Sequence, residues 1–372
     1  MPLVVFIRLL CGIRSSKTKN MYKDRLEHYK WLEDNRKSKL LVYFTGDRRG
    51  METQIATDVL EYFSEQLDKI GKVNKISLFL YTLGGDTMAA WSLVNLIRQF
   101  CKEFEVIIPS KARSSGTIIS LGADNIIMTK QATLGPIDPS LNSPLNPQNP
   151  QIPNNPQARI PVSVESIQGF FDLAKNELKL NDESNLKDVL LNLAEKVHPL
   201  VLGNVYRSRT QIQMVARKLL QKQLGAEQTE KIDKIVSFLC SDSGSHDYAI
   251  YRNEASDELE LSIEKPNDQL YENIKVIFDD IRDELKLLEP FNPNLQLGAN
   301  ATTNYSCRRV LLESIEGGTD VYVTEGALIK TVHLINQPNP LPPISRTTIE
   351  NQMNFEGWKH EDSHVNLQNN EG

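Results

Sequence analysis

The sequence predicts an α/β protein with a mainly parallel sheet, a helical second half and a small β-containing C-terminal extension. Two observations carry this. Between residues 40 and 129, short apolar runs alternate with segments of helical periodicity, the order that builds right-handed βαβ crossovers. Turns of small residues end these runs along the carboxyl edge of the predicted sheet, where such sheets place their sites.

Taken in order, residues 1–39 form an N-terminal arm and a charged helix, 21–39, which reads as a solvated surface helix. Residues 40–45 (LLVYFT), ended by Gly46-Asp47, are the first core strand. Residues 53–70 carry Ile55, Val59, Leu60, Phe63, Leu67 and Ile70 at helical spacing. The second buried strand, 76–81 (ISLFLY), breaks at Thr82-Leu83-Gly84-Gly85-Asp86. Behind it, Leu93, Leu96, Ile97 and Phe100 share one helical face. Residues 106–109 give a third strand, 117–123 a helix and 125–129 a fourth strand.

After Asp138 the character changes. Eight prolines fall between Pro136 and Pro161, interleaved with Asn and Gln, so residues 139–161 read as an extended excursion that covers a cleft or reaches a neighbouring subunit. Helical segments follow at 162–180, 186–224, 229–239 and 264–288, with a polar loop at 240–248. Beyond residue 288 the strand-like pieces are 309–315, 321–324 and 328–334, and residues 351–372 are a polar tail expected to be disordered. The expected division is therefore 1–39, a main domain at 40–288, an extension at 289–350 and the tail.

Composition narrows the function. The 372-residue chain is 40% hydrophobic and 24% charged with net charge −6, which gives no support to a nucleic-acid or anionic-membrane partner. Cys11, Cys101, Cys240 and Cys307 are scattered without paired spacing, so a reducing, cytoplasmic location is expected. Residues 2–13 are apolar but interrupted by Arg8, shorter than the ~20 residues of a span, and lack a signal-type cleavage site. No metal or nucleotide cofactor is expected, since HExxH, GxxxxGK[ST] and clustered Cys/His are all missing.

Two features carry chemistry. Gly84-Gly85 frees the backbone to turn its N–H groups outwards, as an oxyanion site requires, and is also an ordinary turn signal. Ser114-Ser115-Gly116 before a helix offers Ser114 as a nucleophile, or equally as a helix cap.

The run T-L-G-G-D-T, then A-R-S-S-G-T-I-I-S-L-G-A-D-N-I-I-M, L-G-P-I-D-P and the later S-H-D-Y-A-I-Y-R-N-E-A together resemble the serine dehydrogenase proteinase family. That family lies in the Clp protease/crotonase superfamily, beside signal peptide peptidase A and the Clp proteolytic subunit. The resemblance covers residues 40–261 and implies a Clp/crotonase-like ββα spiral. It implies Ser114 as the nucleophile, with Gly84 or Gly85 and Ser115 as main-chain oxyanion donors. Two positions depart from the pattern. Ile137 stands where the Clp subunit has its histidine, and Leu83 stands where the family has proline.

The base is therefore open. His246, with Asp247 and Asp242 beside it, is one candidate, since the Clp subunit draws its acidic triad member from this region. Lys196 with His198 is the other, by analogy with Ser–Lys dyads, and a lysine base would need desolvation. Asp138 reads as a turn residue, and His28, His333, His360 and His364 as surface residues. Three functions fit: a serine endopeptidase, an assembly or scaffold protein that lost its base, and crotonase-like acyl-CoA chemistry. The expected partners are a peptide or protein substrate, further copies of the chain, and for energy-driven unfolding a separate ATPase.

Overall fold

A computed structural model describes residues 21–137, 140–141, 143–242, 245, 247–335 and 344–361. The first part runs α1 (Met21–Arg36), β1 (Lys39–Thr45), α2 (Val59–Ile70), β2 (Val73–Tyr81), α3 (Thr87–Phe100), β3 (Cys101–Ile108), β4 (Lys111–Ala112), α4 (Ser115–Leu121), β5 (Asn125–Met128) and β6 (Thr133–Leu134). The middle holds β7 (Ser140–Leu141), β8 (Val162–Ser163), α5 (Val164–Asp172), α6 (Glu183–Lys196), α7 (Pro199–Leu224), α8 (Thr229–Ser237), β9 (Ile250–Tyr251), α9 (Arg252–Asp257), β10 (Ile263–Glu264) and α10 (Asp268–Glu284). The last part is α11 (Pro293–Leu297), β11 (Thr302–Ser314), β12 (Gly318–Ile335) and β13 (Ile344–Glu361).

One eight-stranded sheet in the order β10-β5-β3-β2-β1-β11-β12-β13 is the frame. From β10 to β1 every pairing is parallel; from β1 to β13 every pairing is antiparallel. The parallel strands are apolar on both faces because both faces are covered. Register aligns Leu41, Leu78, Val106 and Ile126 across one face, where α2, α3, α4 and α7 pack. The adjacent row of Val42, Phe79, Ile107 and Ile127 faces α1 and α10.

The parallel frame is as the sequence predicts, and the differences have physical causes. Helix α2 begins at Val59, because Ile55 belongs to an extended segment bridged to Gly85. The single helix expected over 186–224 is two, since Pro199 removes a backbone donor and holds His198 extended (φ −54, ψ 133). Strands 321–324 and 328–334 are one strand, β12, with a bulge at Glu325/Gly326. The expected disordered tail is corrected for residues 351–361, which lie in β13. That strand edges the sheet and is held by pairing with β12 and by Trp358, which packs against the core. The sheet also runs without interruption across the boundary expected at residue 288. The N-terminal arm at 1–20, Asp138, His246, His364 and the end of the tail at 362–372 lie outside the described residues.

Helix α1 is not simply a solvated surface helix. Arg25 is buried and donates to Glu313, Glu284 and Asp280 at 2.5, 2.6 and 2.7 Å, while Tyr29 also donates to Glu313. Burial pushes the Glu313 carboxyl above its ordinary value, so this cluster is costly to leave half-made. Glu105, buried on β3, is the opposite case. Burial alone would raise its carboxyl, but hydrogen bonds from Arg36, Lys75 and Ser77 outweigh that and hold it below its ordinary value.

Two outcomes are expected in denaturant titrations. Arg25→Met leaves buried carboxylates without their cation and lowers stability by about 3–5 kcal/mol. Glu105 stabilises the fold above its unfolded pKa, about 4.3, and that contribution is lost as pH falls through its lower folded value. Glu105→Gln is therefore destabilised at neutral pH, and its deficit narrows in acid.

Candidate active site

Three segments converge beyond the carboxyl ends of β1, β2 and β3. After β2, Thr82 pairs with β4: its N–H donates to Lys111 O and its carbonyl accepts from Arg113 N–H. The chain then turns through Gly84 (φ 118) and Gly85 (φ 145), values that only glycine adopts readily. Gly84 N–H donates to the Thr82 hydroxyl at 2.9 Å, and Gly84 O accepts from Ile55 N–H at 2.8 Å. Asp86 closes the turn by accepting the Met88 and Ala89 N–H groups at the start of α3.

Ser114 stands at the junction of β4 and α4. It has φ 51 and ψ −113, a conformation that costs a non-glycine residue of order 1–3 kcal/mol. Its hydroxyl makes no capping bond, so the capping reading does not hold. A Cβ placed on Gly84 would lie 2.7 Å from Ser114 Cβ and 3.1 Å from its Oγ, so turn and serine touch. Next to it, the Ser115 hydroxyl donates to Gly85 O at 2.6 Å and ties the helix to the turn. Every residue of α4 is buried.

The consequence is a division of the backbone donors. Gly84 N–H is committed to Thr82, whereas the N–H groups of Gly85 and Ser115 have no acceptor among the described residues. Ser115 N–H also opens a helix, whose dipole favours negative charge there. Leu83 and Met88 expose apolar surface on either side of the turn.

Thr117, on α4, anchors the segment after β6: its hydroxyl donates to Gly135 O at 2.8 Å and accepts from Gly135 N–H at 3.1 Å. Ile137 follows, buried, with its N–H on Leu239 O at 2.9 Å. No base stands there. The loop bearing His246 leaves from a π-helical turn at Phe238–Asp242 and returns through β9, which pairs with β6, itself the neighbour of β4. Two strand spacings, about 10 Å, thus separate the loop's exit from the strand that delivers Ser114. His246 lies outside the described residues, as does the Asp242 side chain; Asp247 is exposed.

The other basic groups have separate places. Lys196 is exposed at the end of α6, without the burial a neutral lysine requires. His198 caps α7 by accepting Leu200 N–H on Nδ1. It lies about 20 Å along the helix axis from Ile212, where α7 joins the core beside α4. His28, His333 and His360 bond Asn273, Thr348 and Asp320, and Lys111 is paired with Asp47 at 2.8 Å. Among the described residues, no side chain hydrogen-bonds the Ser114 hydroxyl, no cluster of His, Cys, Asp and Glu could hold a metal, and no helix is long and apolar enough to cross a membrane.

Sequence reasoning missed Thr82, Ile55 and the Ser115 hydroxyl. Thr82 carries a faint signal, a hydroxyl residue two positions before a glycine N–H. The Ile55 contact is tertiary and has none.

Residues 3–284 match the ClpP-like SDH-type serine proteinases, and the chain belongs to that family. Two uncharacterized proteins of Methanocaldococcus jannaschii are 30% and 29% identical to it over 193 and 175 residues. Those matches cover 52% and 47% of this chain and 54% and 47% of theirs, so it spans about half the length of the curated relatives it matches. Among solved structures, a membrane-bound stomatin-specific protease with a substrate peptide is 14% identical, covers 58% of this chain and 73% of its own, and gives a TM-score of 0.34. ClpP1 from Listeria monocytogenes is 17% identical, with coverages of 65% and 98% and a TM-score of 0.33.

The Thr82 hydroxyl carries a prediction. Thr82→Val strands the buried Gly84 N–H and costs about 1–3 kcal/mol in thermal or denaturant unfolding. Thr82→Ser, which keeps the acceptor, recovers most of that loss.

Proposed function

We propose that the chain is a serine endopeptidase in which Ser114 is the nucleophile and the Gly85 and Ser115 N–H groups form the oxyanion hole. The observation that carries this reading is the strained, uncapped Ser114 beside two backbone donors that have no acceptor among the described residues. In the proposed reaction Ser114 Oγ attacks the peptide carbonyl carbon as a base takes its proton. The two N–H groups hold the oxygen that becomes negative, and their geometry is fixed before substrate arrives. Collapse expels the amine, which leaves with that proton, and water then hydrolyses the acyl-serine by the same route.

Gly85 is preferred to Gly84 as the turn's donor because Thr82 already holds Gly84 N–H. For the base, the reading favours His246, oriented by Asp247 or Asp242, over Lys196 and His198. The exposed Lys196 and the capping His198 would both need a rearranged α6–α7 junction or a second copy of the chain. Assembly into a homo-oligomer and delivery of substrate by a separate ATPase belong to the same proposal. A second reading, an inert scaffold of the same fold, draws on one observation: Ile137 is buried and apolar where a base would stand.

A fluorophosphonate probe separates the two. The peptidase reading expects covalent labelling at Ser114, and Ser114→Ala to abolish labelling and lower kcat for peptide cleavage at least about 10³-fold. His246→Ala is expected to approach that loss while Lys196→Ala stays within about twofold, an effect too small to signify a lost base. Equal cleavage in wild type and Ser114→Ala would overturn the peptidase reading, and an unlabelled Ser114 in an intact oligomer that cleaves nothing would favour the scaffold.

A further inference from the structure

On the far side of the 53–58 segment from the Gly84–Gly85 turn lies a cleft of about 370 Å³, between the start of α2 and the β11–β13 meander. Its size is that of a small-ligand pocket. Its wall contains Tyr43, which is only 1% exposed and packs edge-on against Phe63, yet whose hydroxyl has no hydrogen-bond partner among the described residues. A buried phenol left unpaired at a cavity wall is a donor and acceptor held for a guest.

The electrostatics specify that guest. Arg309 is the cation among the described lining residues, and it is already spent. Its Nε donates to Met51 O, its Nη1 to Thr324 and Glu356, and its Nη2 to Glu52 O. The lining thus sets three carboxylates, Glu52, Asp58 and Glu356, against the single arginine, and only Glu356 is hydrogen-bonded to it. Backbone N–H groups of Gly50 and of Glu52 itself hold the Glu52 carboxyl below its ordinary value, so it is ionised near neutrality. Asp58 occupies the cap position of α2 without capping it; its carboxylate turns to accept Trp358 Nε1 at 2.8 Å. Trp358 stacks on Tyr62 at 4.6 Å and meets Tyr322 edge-on at 5.7 Å, which fixes an aromatic wall beside the two carboxylates. Carboxylates in excess, an aromatic face and a buried phenol together suit a cation carried on an alkyl chain.

We propose that this cleft binds an alkylammonium or alkylguanidinium group, presented by a basic side chain of a peptide or by a free amine. The site does not depend on the chemistry of Ser114. It is nonetheless joined to the turn there, since Ile55, between the lining residues Gln54 and Ala56, is bridged to Gly85.

Calorimetric titration of full-length Ser114→Ala tests this without hydrolysis, using Nα-acetyl-lysine methylamide, n-butylamine and Nα-acetyl-norleucine methylamide. Saturable binding of the lysine derivative but not of its neutral norleucine analogue is expected. Tighter binding of the lysine derivative than of butylamine assigns a peptide source; equal binding assigns a free amine. Asp58→Asn, which keeps an acceptor for Trp358, and Tyr43→Phe are each expected to weaken binding at least about fivefold, with melting curves confirming that both variants fold. The proposal is overturned if neither amine saturates, if norleucine binds equally well, or if folded Asp58→Asn binds like its parent.

Discussion

The approach of the Gly84–Gly85 turn to its neighbours sets the geometry of the whole carboxyl edge. A Cβ on Gly85 would lie 2.3 Å from the carbonyl oxygen of Ile55, and both glycines hold positive φ. Absence of side chains lets Ile55 bond to either side of Gly85, through Gly84 O and Asp86 N–H. That clamp fixes the direction in which Gly85 N–H points. The Ser115 hydroxyl, on Gly85 O, then sets α4 against the turn, and Ser114 must take up its strained backbone to join β4 to a helix so placed. Strain of this kind persists only where the surroundings over-determine it. Here a buried helix on one side and a glycine turn on the other do so.

The frame behind that edge is rigid for a related reason. The parallel strands are buried on both faces, and the meander of β11, β12 and β13 covers the β1 side of the sheet. It is not an appendage. Leu311 and Leu312 are core residues on opposite faces, and Glu313 on the same strand answers Arg25 from α1. Trp358, far along the chain, docks through Tyr62 and Asp58 onto α2, beside the segment that carries Ile55. The N-terminal helix and the last described strand thus both brace the parallel strands that present Ser114.

The parallel frame was legible because its signals are local: LLVYFT, ISLFLY and the helical spacing of Leu93, Ile97 and Phe100 each announce one element. The glycine pair and the serine turn were legible as motifs for the same reason. What local pattern could not supply was pairing. Thr82 gives only a faint local hint that it removes Gly84 N–H from use, and Ile55 gives none that it clamps Gly85. Polar residues 351–361 resemble a tail because an edge strand is held by its ladder, which sequence does not display. Arg25, within a charged helix, looked solvated because its three carboxylate partners lie about 255 residues or more away in the chain, beyond any periodicity argument.

The proposed chemistry turns on where a proton can go. Position 137 is closed to a base, because Ile137 is packed in the core and its N–H is engaged by Leu239. Yet that same bond ties the segment after the nucleophile's helix to the start of the loop that carries His246. The loop's other end is fixed by β9 on β6, so both of its stems are held on the framework that positions Ser114. Lys111 is nearer in sequence but is neutralised by Asp47, and four of the six histidines are occupied elsewhere. On the proposed reading, the nucleophile and the oxyanion donors lie on the turn and on α4, and the base comes from a separate segment joined to the same framework.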